Sequence, residues 1–355
     1  MFELFLPVLI IIAAGLVTLS ALSWHLFFVQ LIWIAMGVGF VLLFLFVDWR
    51  SVFNSRWIIW GVYGFGVALV LFAYFKAPLI RNTRSWLPVG PFTIQPVELV
   101  KIALIFLYAN YFSRRHLAVA RWQVIVSSFF FFIIPAAIAV KLPDLGSAVI
   151  FASIWFGFLL LSGLPLRRVF AALTIFLCVA GFLWVYVLKD YHRARIVGFV
   201  SPEQSAQSAL GINYSMIQSK ITIGSAGFWG KGYGQGTQTQ LGFLSEPTED
   251  FIFAAFIEEW GIAGGLFIII TFLFLIFQIL KIGLLADKNF EKFICLGAAM
   301  MFGVQFLLNT GSATGLTPVV GVTFPFLSYG GSSMLTDSFL LAIINSVRER
   351  SRGSS

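Results

Sequence analysis

Asp250 stands in the run Thr248-Glu249-Asp250-Phe251-Ile252-Phe253-Ala254, where a polar stretch turns into a long apolar one. A carboxylate there has two readings. It can cap the following helix, where Asp is favoured and the helix dipole supports its anionic form. Alternatively, ionised at a membrane surface, it can accept a proton as a general base. Upstream, Tyr191-His192-Arg193-Ala194-Arg195 supplies two guanidiniums. These suit interfacial anchoring, or pairing with an anionic head group through their fork of donors. Between them and Asp250 lies Gly230-Lys231-Gly232-Tyr233-Gly234-Gln235-Gly236-Thr237-Gln238. Its glycines permit tight turns and close backbone approach to a ligand. The stretch reads as a flexible outer loop or as a phosphate cradle. It is not a P-loop, which needs a preceding strand and a Gly-Lys-Ser/Thr ending.

A second group of charges falls within apolar sequence. Glu98, Glu258, Glu259 and Asp337 lie inside stretches that look like membrane spans, and Asp144 sits just before one. A carboxylate in lipid is unfavourable by on the order of 3 kcal/mol on insertion scales, so such residues face a bundle interior or a watery cavity. Glu98 and Lys101 can meet on one helix face, because side chains at i and i+3 are neighbours. They form either an internal salt bridge that joins helices or the wall of a charged cavity.

The elements that must position these residues follow from composition. Of the 355 residues 59% are hydrophobic and 11% charged, whereas a soluble domain carries about 25% charged residues. The expected fold is therefore all-α, a polytopic membrane bundle of about ten transmembrane helices. A span needs roughly 20 apolar residues. Ten apolar stretches can be drawn, near Leu4–Leu22, His25–Val47, Trp57–Phe75, Pro96–Phe112, Val124–Val140, Ser147–Leu161, Arg168–Leu188, Phe251–Leu280, Phe293–Ala313 and Ser333–Val347. No Lys or Arg precedes the first, so it is expected to be a retained span and not a signal peptide. With the N-terminus inside, the inner loops and the C-terminal end hold more of the basic residues than the outer side, including Arg50, Arg56, Arg114, Arg115, Arg121, Arg167 and Arg168. That bias places both termini in the cytoplasm. The Lys189–Asp250 segment, about 60 residues, is then an outer loop, and a loop that long is uncommon unless functional or disordered.

The net charge of +8 is a topology signal, and the basic residues form no single patch for nucleic acid. Cys178 and Cys295 both fall in apolar spans, with no disulfide framework or metal spacing. His25, His116 and His192 form no ligand motif. The aromatic runs Phe129-Phe130-Phe131-Phe132 and Phe272-Leu273-Phe274-Leu275 are expected to face lipid, or a partner's single span. The tail Ser351–Ser355 is expected to be in part an appended remnant without function. These features describe an outward-facing site with a carboxylate, arginines and glycine-rich backbone over a bundle with buried charges. A lipid-phosphate enzyme and a transporter fit that description equally well.

Ordered motifs narrow the choice. They are Arg84-Ser85-Trp86 with Gly90-Pro91-Phe92, Gln95-Pro96-Val97-Glu98-Leu99-Val100-Lys101, and Pro143-Asp144-Leu145-Gly146-Ser147. Ile217-Gln218-Ser219-Lys220, Gly230-Lys231-Gly232 and Gly236-Thr237-Gln238-Thr239-Gln240-Leu241 follow, then Asp250-Phe251-Ile252-Phe253-Ala254 with Glu258-Glu259-Trp260-Gly261. Leu316-Thr317-Pro318-Val319-Val320-Gly321 and Pro325-Phe326-Leu327-Ser328-Tyr329-Gly330-Gly331-Ser332 complete the series. In this order they resemble the SEDS family (shape, elongation, division and sporulation) over nearly the whole chain, residues 1–350 forming one transmembrane domain. The Gly-Thr-Gln-Thr-Gln run is more similar to the elongation branch, RodA, than to the division branch, FtsW. Two departures stand out. Val97 replaces a usual Ser, and Ser245-Glu246-Pro247-Thr248-Glu249-Asp250 replaces Pro-Glu-x-His-Thr-Asp, leaving Glu249 able to share the role of Asp250.

The resemblance implies a peptidoglycan glycosyltransferase of the bacterial cytoplasmic membrane. It would polymerise lipid II, an undecaprenyl-pyrophosphate-linked disaccharide peptide, into glycan strands at the outer face during elongation. A class B penicillin-binding protein would crosslink the strands, with other elongation-complex proteins as further partners. Asp250 matches the family's essential aspartate. Glu98, Lys101, Asp144, Arg193, Arg195, Gln218, Lys220 and Ser328 fall to substrate binding. The leaving pyrophosphate needs positive charge from Arg193, Arg195, Lys101 or a divalent cation, Mg or Mn. An α-linked donor giving a β-linked polymer requires inversion, hence one displacement and a single base. The alternatives are a lipid II flippase with Glu98, Lys101 and Asp144 lining the passage, an FtsW-like division paralogue, and a non-catalytic scaffold.

Overall fold

The structure, a computed structural model, describes residues 2–47, 49–53, 55–79, 83–90, 92–114, 122–186, 199 and 214–353. In chain order the helices are α1 (Phe2–Leu22), α2 (Trp24–Phe46), α3 (Trp49–Phe53), α4 (Arg56–Lys76), α5 (Pro96–Ser113), α6 (Trp122–Lys141), α7 (Leu145–Leu161) and α8 (Leu166–Tyr186). They continue with α9 (Tyr214–Ser225), α10 (Thr237–Gln240), α11 (Ile252–Leu285), α12 (Asn289–Thr314) and α13 (Gly331–Gly353). One antiparallel pair, β1 (Leu87–Val89) with β2 (Phe92–Ile94), precedes α5, with Leu87 opposite Ile94. Each of the ten expected stretches coincides with a helix, and among the described residues seven helices are long and apolar enough to cross a membrane. The chain is a multi-pass helical membrane protein.

Contacts divide the chain into two compact units. One comprises Met1–Gly39, Asp190–Gln278 and Phe302–Asp337; the other Phe40–Lys189, Ile279–Met301 and Ser338–Ser355. In the second unit α5 is the central helix. Of its apolar window 72% is buried, against 28% for α4 and 39% for α6. A helix apolar all round belongs inside a bundle, and α5 packs against α4, α6 and α7. Two aromatic side chains of this core are anchored on Ser128. The Tyr108 hydroxyl donates to the Ser128 carbonyl at 2.9 Å, and the Trp155 indole to the Ser128 hydroxyl at 3.0 Å.

The phenylalanine run of α6 only partly faces outward. Phe130 is 54% exposed, but Phe132 is buried and stacks on Trp155 at 4.9 Å, while Phe131 lies edge-on to Trp60 and Tyr111. Successive helix residues turn by about 100°, so four in a row cannot share one face.

In the first unit the longest span is broken. Gly261 within α11 has φ 74° and ψ 178°, a region essentially restricted to glycine. A continuous helix would bond Ile262 N–H to Glu258 and Ala263 N–H to Glu259. Instead the 227–232 loop takes both sides of the break. Lys231 and Gly232 amides donate to the Glu258 and Glu259 carbonyls at 2.9 and 3.0 Å. Ile262 and Ala263 donate to the Gly227 and Phe228 carbonyls, each at 3.1 Å. Two lost helical bonds are replaced by four, which is how irregular backbone persists where water is scarce.

Candidate active site

Asp250 does not cap α11. The helix begins at Ile252, and the Ala255 amide bonds the Phe251 carbonyl, so Phe251 occupies the cap position. Asp250 belongs to the preceding turn over Pro247–Phe251, closed by the Phe251 amide on the Glu246 carbonyl at 3.2 Å. Of the two readings of Asp250, the N-cap position falls to Phe251, because the chain completes one more tight turn before entering the helix.

That turn is held from outside by three consecutive backbone carbonyls. Thr248 accepts from the Tyr329 amide at 2.9 Å, Glu249 from the Ser328 hydroxyl at 2.7 Å, and Asp250 from the Asn309 side-chain amide at 2.9 Å. The same Asn309 group also donates to the Val322 carbonyl at 2.8 Å, and Asn309 is 1% exposed. Ser328 accepts in turn from the Phe324 amide at 2.8 Å. The 315–330 segment is thus irregular backbone with Phe324, Phe326, Leu327 and Ser328 buried. Its polar groups are met by α12, by the Asp250 turn and by Gln30 of α2, which bonds both Ser328 and Gly330. The half-buried Asp250 side chain lies beside Gly321, where a Cβ would sit 3.6 Å from Oδ2.

The end of α12 also receives α9. The Ser219 hydroxyl donates to the Ala313 carbonyl at 2.8 Å. Gly315 (φ 73°) ends the helix, and the aliphatic and ammonium end of Lys220 lies directly over it. Asn309, which holds Asp250, and Gly315, which carries Lys220, are separated by six residues, about 9 Å along a helix axis. The structure therefore gathers Asp250, Ser328 and Lys220 around one helix end. Gln218 is half-buried on α9. Arg193 and Arg195 lie outside the described residues.

The glycine-rich stretch is neither a loose loop nor an open cradle. Glu258, with a fully buried side chain, accepts from Lys231 Nζ at 2.6 Å and from the Gln238 and Thr239 amides at 2.9 and 3.1 Å. Lys231 Nζ also donates to the Ser225 and Thr237 hydroxyls, both at 2.8 Å. Glu259 accepts from the Gly234 amide at 3.1 Å. The donors that could have cradled a phosphate are turned onto the protein's own carboxylates. Glu258 and Glu259 thus serve the helix break, which periodicity cannot reveal.

Glu98, Lys101 and Asp144 come together in the second unit. Lys101 Nζ bonds Glu98 Oε1 at 2.6 Å, with the two residues 2% and 5% exposed. Asp144 caps α7, accepting from the Ser147 amide and hydroxyl at 2.9 and 2.8 Å. The Gln95 side-chain amide donates to Asp144 Oδ2, the oxygen that also accepts from the Ser147 hydroxyl, at 3.3 Å. Glu98 Oε2 is buried with no partner among the described residues. Both charges face the protein interior, as the lipid penalty requires. Removing one member of such a pair strands the other and costs about 3–5 kcal/mol. Glu98→Ala is therefore expected to melt well below the parent in detergent. Glu98→Gln, which keeps an acceptor for Lys101, is expected to lose less. Equal melting of Glu98→Ala and parent would show that the pair is not a structural buried ion pair.

Sequence reasoning passed over Asn309, Gln30 and Tyr329. The available signal for Asn309 was an amide in the apolar run Phe306-Leu307-Leu308-Asn309, since polar groups inside spans are rarely idle.

With this geometry in hand, similarity to known proteins is informative. The family described as "Cell cycle protein" (FTSW_RODA_SPOVE) matches residues 1–353. The peptidoglycan glycosyltransferase MrdB of Escherichia coli K12 is 33% identical over 278 residues, covering 78% of this chain and 74% of that protein. MrdB of Helicobacter pylori J99 is 34% identical over 318 residues, covering 88% and 80%. Among solved structures, a chain of a peptidoglycan synthase complex that coordinates polymerization and crosslinking aligns with TM-score 0.83 at 26% identity, covering 99% and 98%. The rod shape determining protein RodA of Thermus thermophilus shares the fold with TM-score 0.71 at 23% identity, covering 98% and 96%. This chain belongs to the FTSW_RODA_SPOVE family of cell cycle proteins.

Proposed function

We propose that this chain is a peptidoglycan glycosyltransferase that polymerises lipid II into glycan strands at the outer membrane face during cell elongation. The observation that carries the reading is the clamp on the Asp250 turn. A carboxylate whose backbone is held by Tyr329, Ser328 and Asn309 is fixed in place beside the glycine backbone of Gly321. Pre-organisation of this kind is what a general base requires. In the reaction a sugar hydroxyl of one lipid-linked chain attacks the anomeric carbon of another. Its proton passes to Asp250, the new glycosidic bond forms with inversion, and the lipid pyrophosphate departs. Lys220, placed at the same helix end, is the described cation suited to the pyrophosphate; Arg193 and Arg195 are assigned the same task from sequence. Asn309 and Ser328 act as positioning residues for the turn.

Among the described residues no three His, Cys, Asp or Glu side chains converge as a metal site. A divalent cation, Mg or Mn, would therefore take most of its ligands from pyrophosphate and water, as Mg commonly does. Both termini are assigned to the cytoplasm by the basic short loops, and a class B penicillin-binding protein is the proposed crosslinking partner.

One preparation tests these assignments. Sealed right-side-out vesicles carrying this chain and a tagged class B penicillin-binding protein are supplied with lipid II externally. Glycan strands are expected before permeabilisation, and the two proteins are expected to co-purify in mild detergent. Polymer that appears only after permeabilisation would refute the outer site. No polymer from the purified, co-expressed pair would refute the enzyme reading.

A further inference from the structure

A cleft between α4 and α5 serves neither cluster described above. It has a volume of about 270 Å³ and is lined by Arg56, Trp60, Leu107, Asn110, Tyr111 and Arg114. Arg56 opens α4 and Arg114 is the C-cap of α5. Along α5, Arg114 is 16 residues from Glu98, about 24 Å at the rise of a helix, so the cleft lies at the opposite end of that helix from the buried ion pair. It also falls at the end that the basic loops assign to the cytoplasm.

Its chemistry is one-sided. Among the described residues, two guanidiniums and no carboxylate line it. The walls are rigid, because Trp60 and Tyr111 each meet Phe131 edge-on, at 5.2 Å and 89° and at 5.3 Å and 86°. Leu107, 2% exposed, closes the floor, and Trp60, 43% exposed, opens toward the surroundings of the bundle. Tryptophan and tyrosine concentrate at the membrane interface, and guanidinium forks match phosphate oxygens. Basic pockets between membrane helices on the cytoplasmic side take anionic head groups. The volume is below the roughly 300–1,000 Å³ that encloses a drug-sized ligand. It suits a phosphodiester head group whose acyl chains lie outside along the helices.

We propose that this cleft binds the head group of an anionic phospholipid, with Arg56 and Arg114 on the phosphate and Trp60 and Tyr111 flanking the glycerol. The proposal is independent of the catalytic assignment, since neither arginine belongs to the site around Asp250. It is tested on the full chain in neutral detergent by native mass spectrometry and thermal melting, with phosphatidylglycerol, phosphatidylcholine or inorganic phosphate added.

Phosphatidylglycerol is expected to be retained and to raise the melting temperature, whereas phosphatidylcholine and millimolar phosphate do neither. An Arg56→Gln/Arg114→Gln variant is expected to bind phosphatidylglycerol about 30-fold more weakly, from about 1 kcal/mol per basic residue near the surface. An Arg56→Lys/Arg114→Lys variant keeps the charge without the fork and should fall between, which preserves the test if the first variant folds poorly. Undiminished retention in the glutamine variant would overturn the proposal. So would equal stabilisation by phosphatidylcholine, or an equal loss in an Arg167→Gln/Arg168→Gln control. Stabilisation by inorganic phosphate alone would reassign the cleft to a free anion.

Discussion

Asp250→Asn is expected to lower lipid II polymerisation by at least about 10²-fold, the lower end of what general-base catalysis contributes. The three bonds that clamp the turn survive this substitution. The Thr248, Glu249 and Asp250 groups held by Tyr329, Ser328 and Asn309 are backbone carbonyls, which the change leaves in place. Phe251, not Asp250, stands before the first helical residue, so no helix cap is lost. The variant should therefore keep its melting temperature while losing polymer, measured with the partner bound. Near-normal glycan strands would end the general-base assignment. Glu249, one residue earlier, would then be tested as Glu249→Gln in the same assay.

The second large effect is structural. Gly261→Ala is expected to destabilise the chain by on the order of 3 kcal/mol or more, from the backbone conformation and the bonds it disrupts. At φ 74° and ψ 178° an alanine is strained before any contact is considered. Its Cβ would also lie 2.2 Å from the Phe228 carbonyl oxygen and 2.4 Å from the Gly230 amide nitrogen. These atoms are backbone and cannot swing aside, so the 227–232 loop must leave the break. The four bonds that satisfy Glu258, Glu259, Ile262 and Ala263 leave with it. Gly230 is constrained reciprocally, with φ 84° and the Glu259 carbonyl 2.2 Å from its own Cβ position. Gly224→Ala is the control, because Gly224 lies in α9 with open space around it. Melting of purified protein decides the matter. A Gly261→Ala shift smaller than about 2 °C, within the range of a sub-kilocalorie change for a chain this long, would show that the loop does not depend on the break.

The segment from Lys189 to Asp250 shows where local reasoning stopped. Its glycines correctly signalled close backbone approach, but the ligand approached is the protein itself. The acceptors met by the glycine-rich stretch are the side chains of Glu258 and Glu259, which the sequence places in a span that reads as continuous. Hydropathy averages over a window and does not register one glycine in an unusual conformation. By contrast, Glu98 and Lys101 were legible as a pair, because their spacing alone brings them onto one helix face and the lipid penalty turns that face inward.

By itself the sequence determined the membrane class, the ten helical stretches and the family, because span length, polarity and ordered motifs are properties of neighbouring residues. It also singled out Asp250, Lys220 and Ser328 as chemistry-bearing positions. What each of those residues does locally was decided by tertiary structure. Ser328 reaches Glu249 across 79 positions and Gln30 reaches Ser328 across 298. Buried irregular backbone has no water to satisfy it, so its partners must come from whichever distant segment the fold delivers. No local pattern encodes which segment that is.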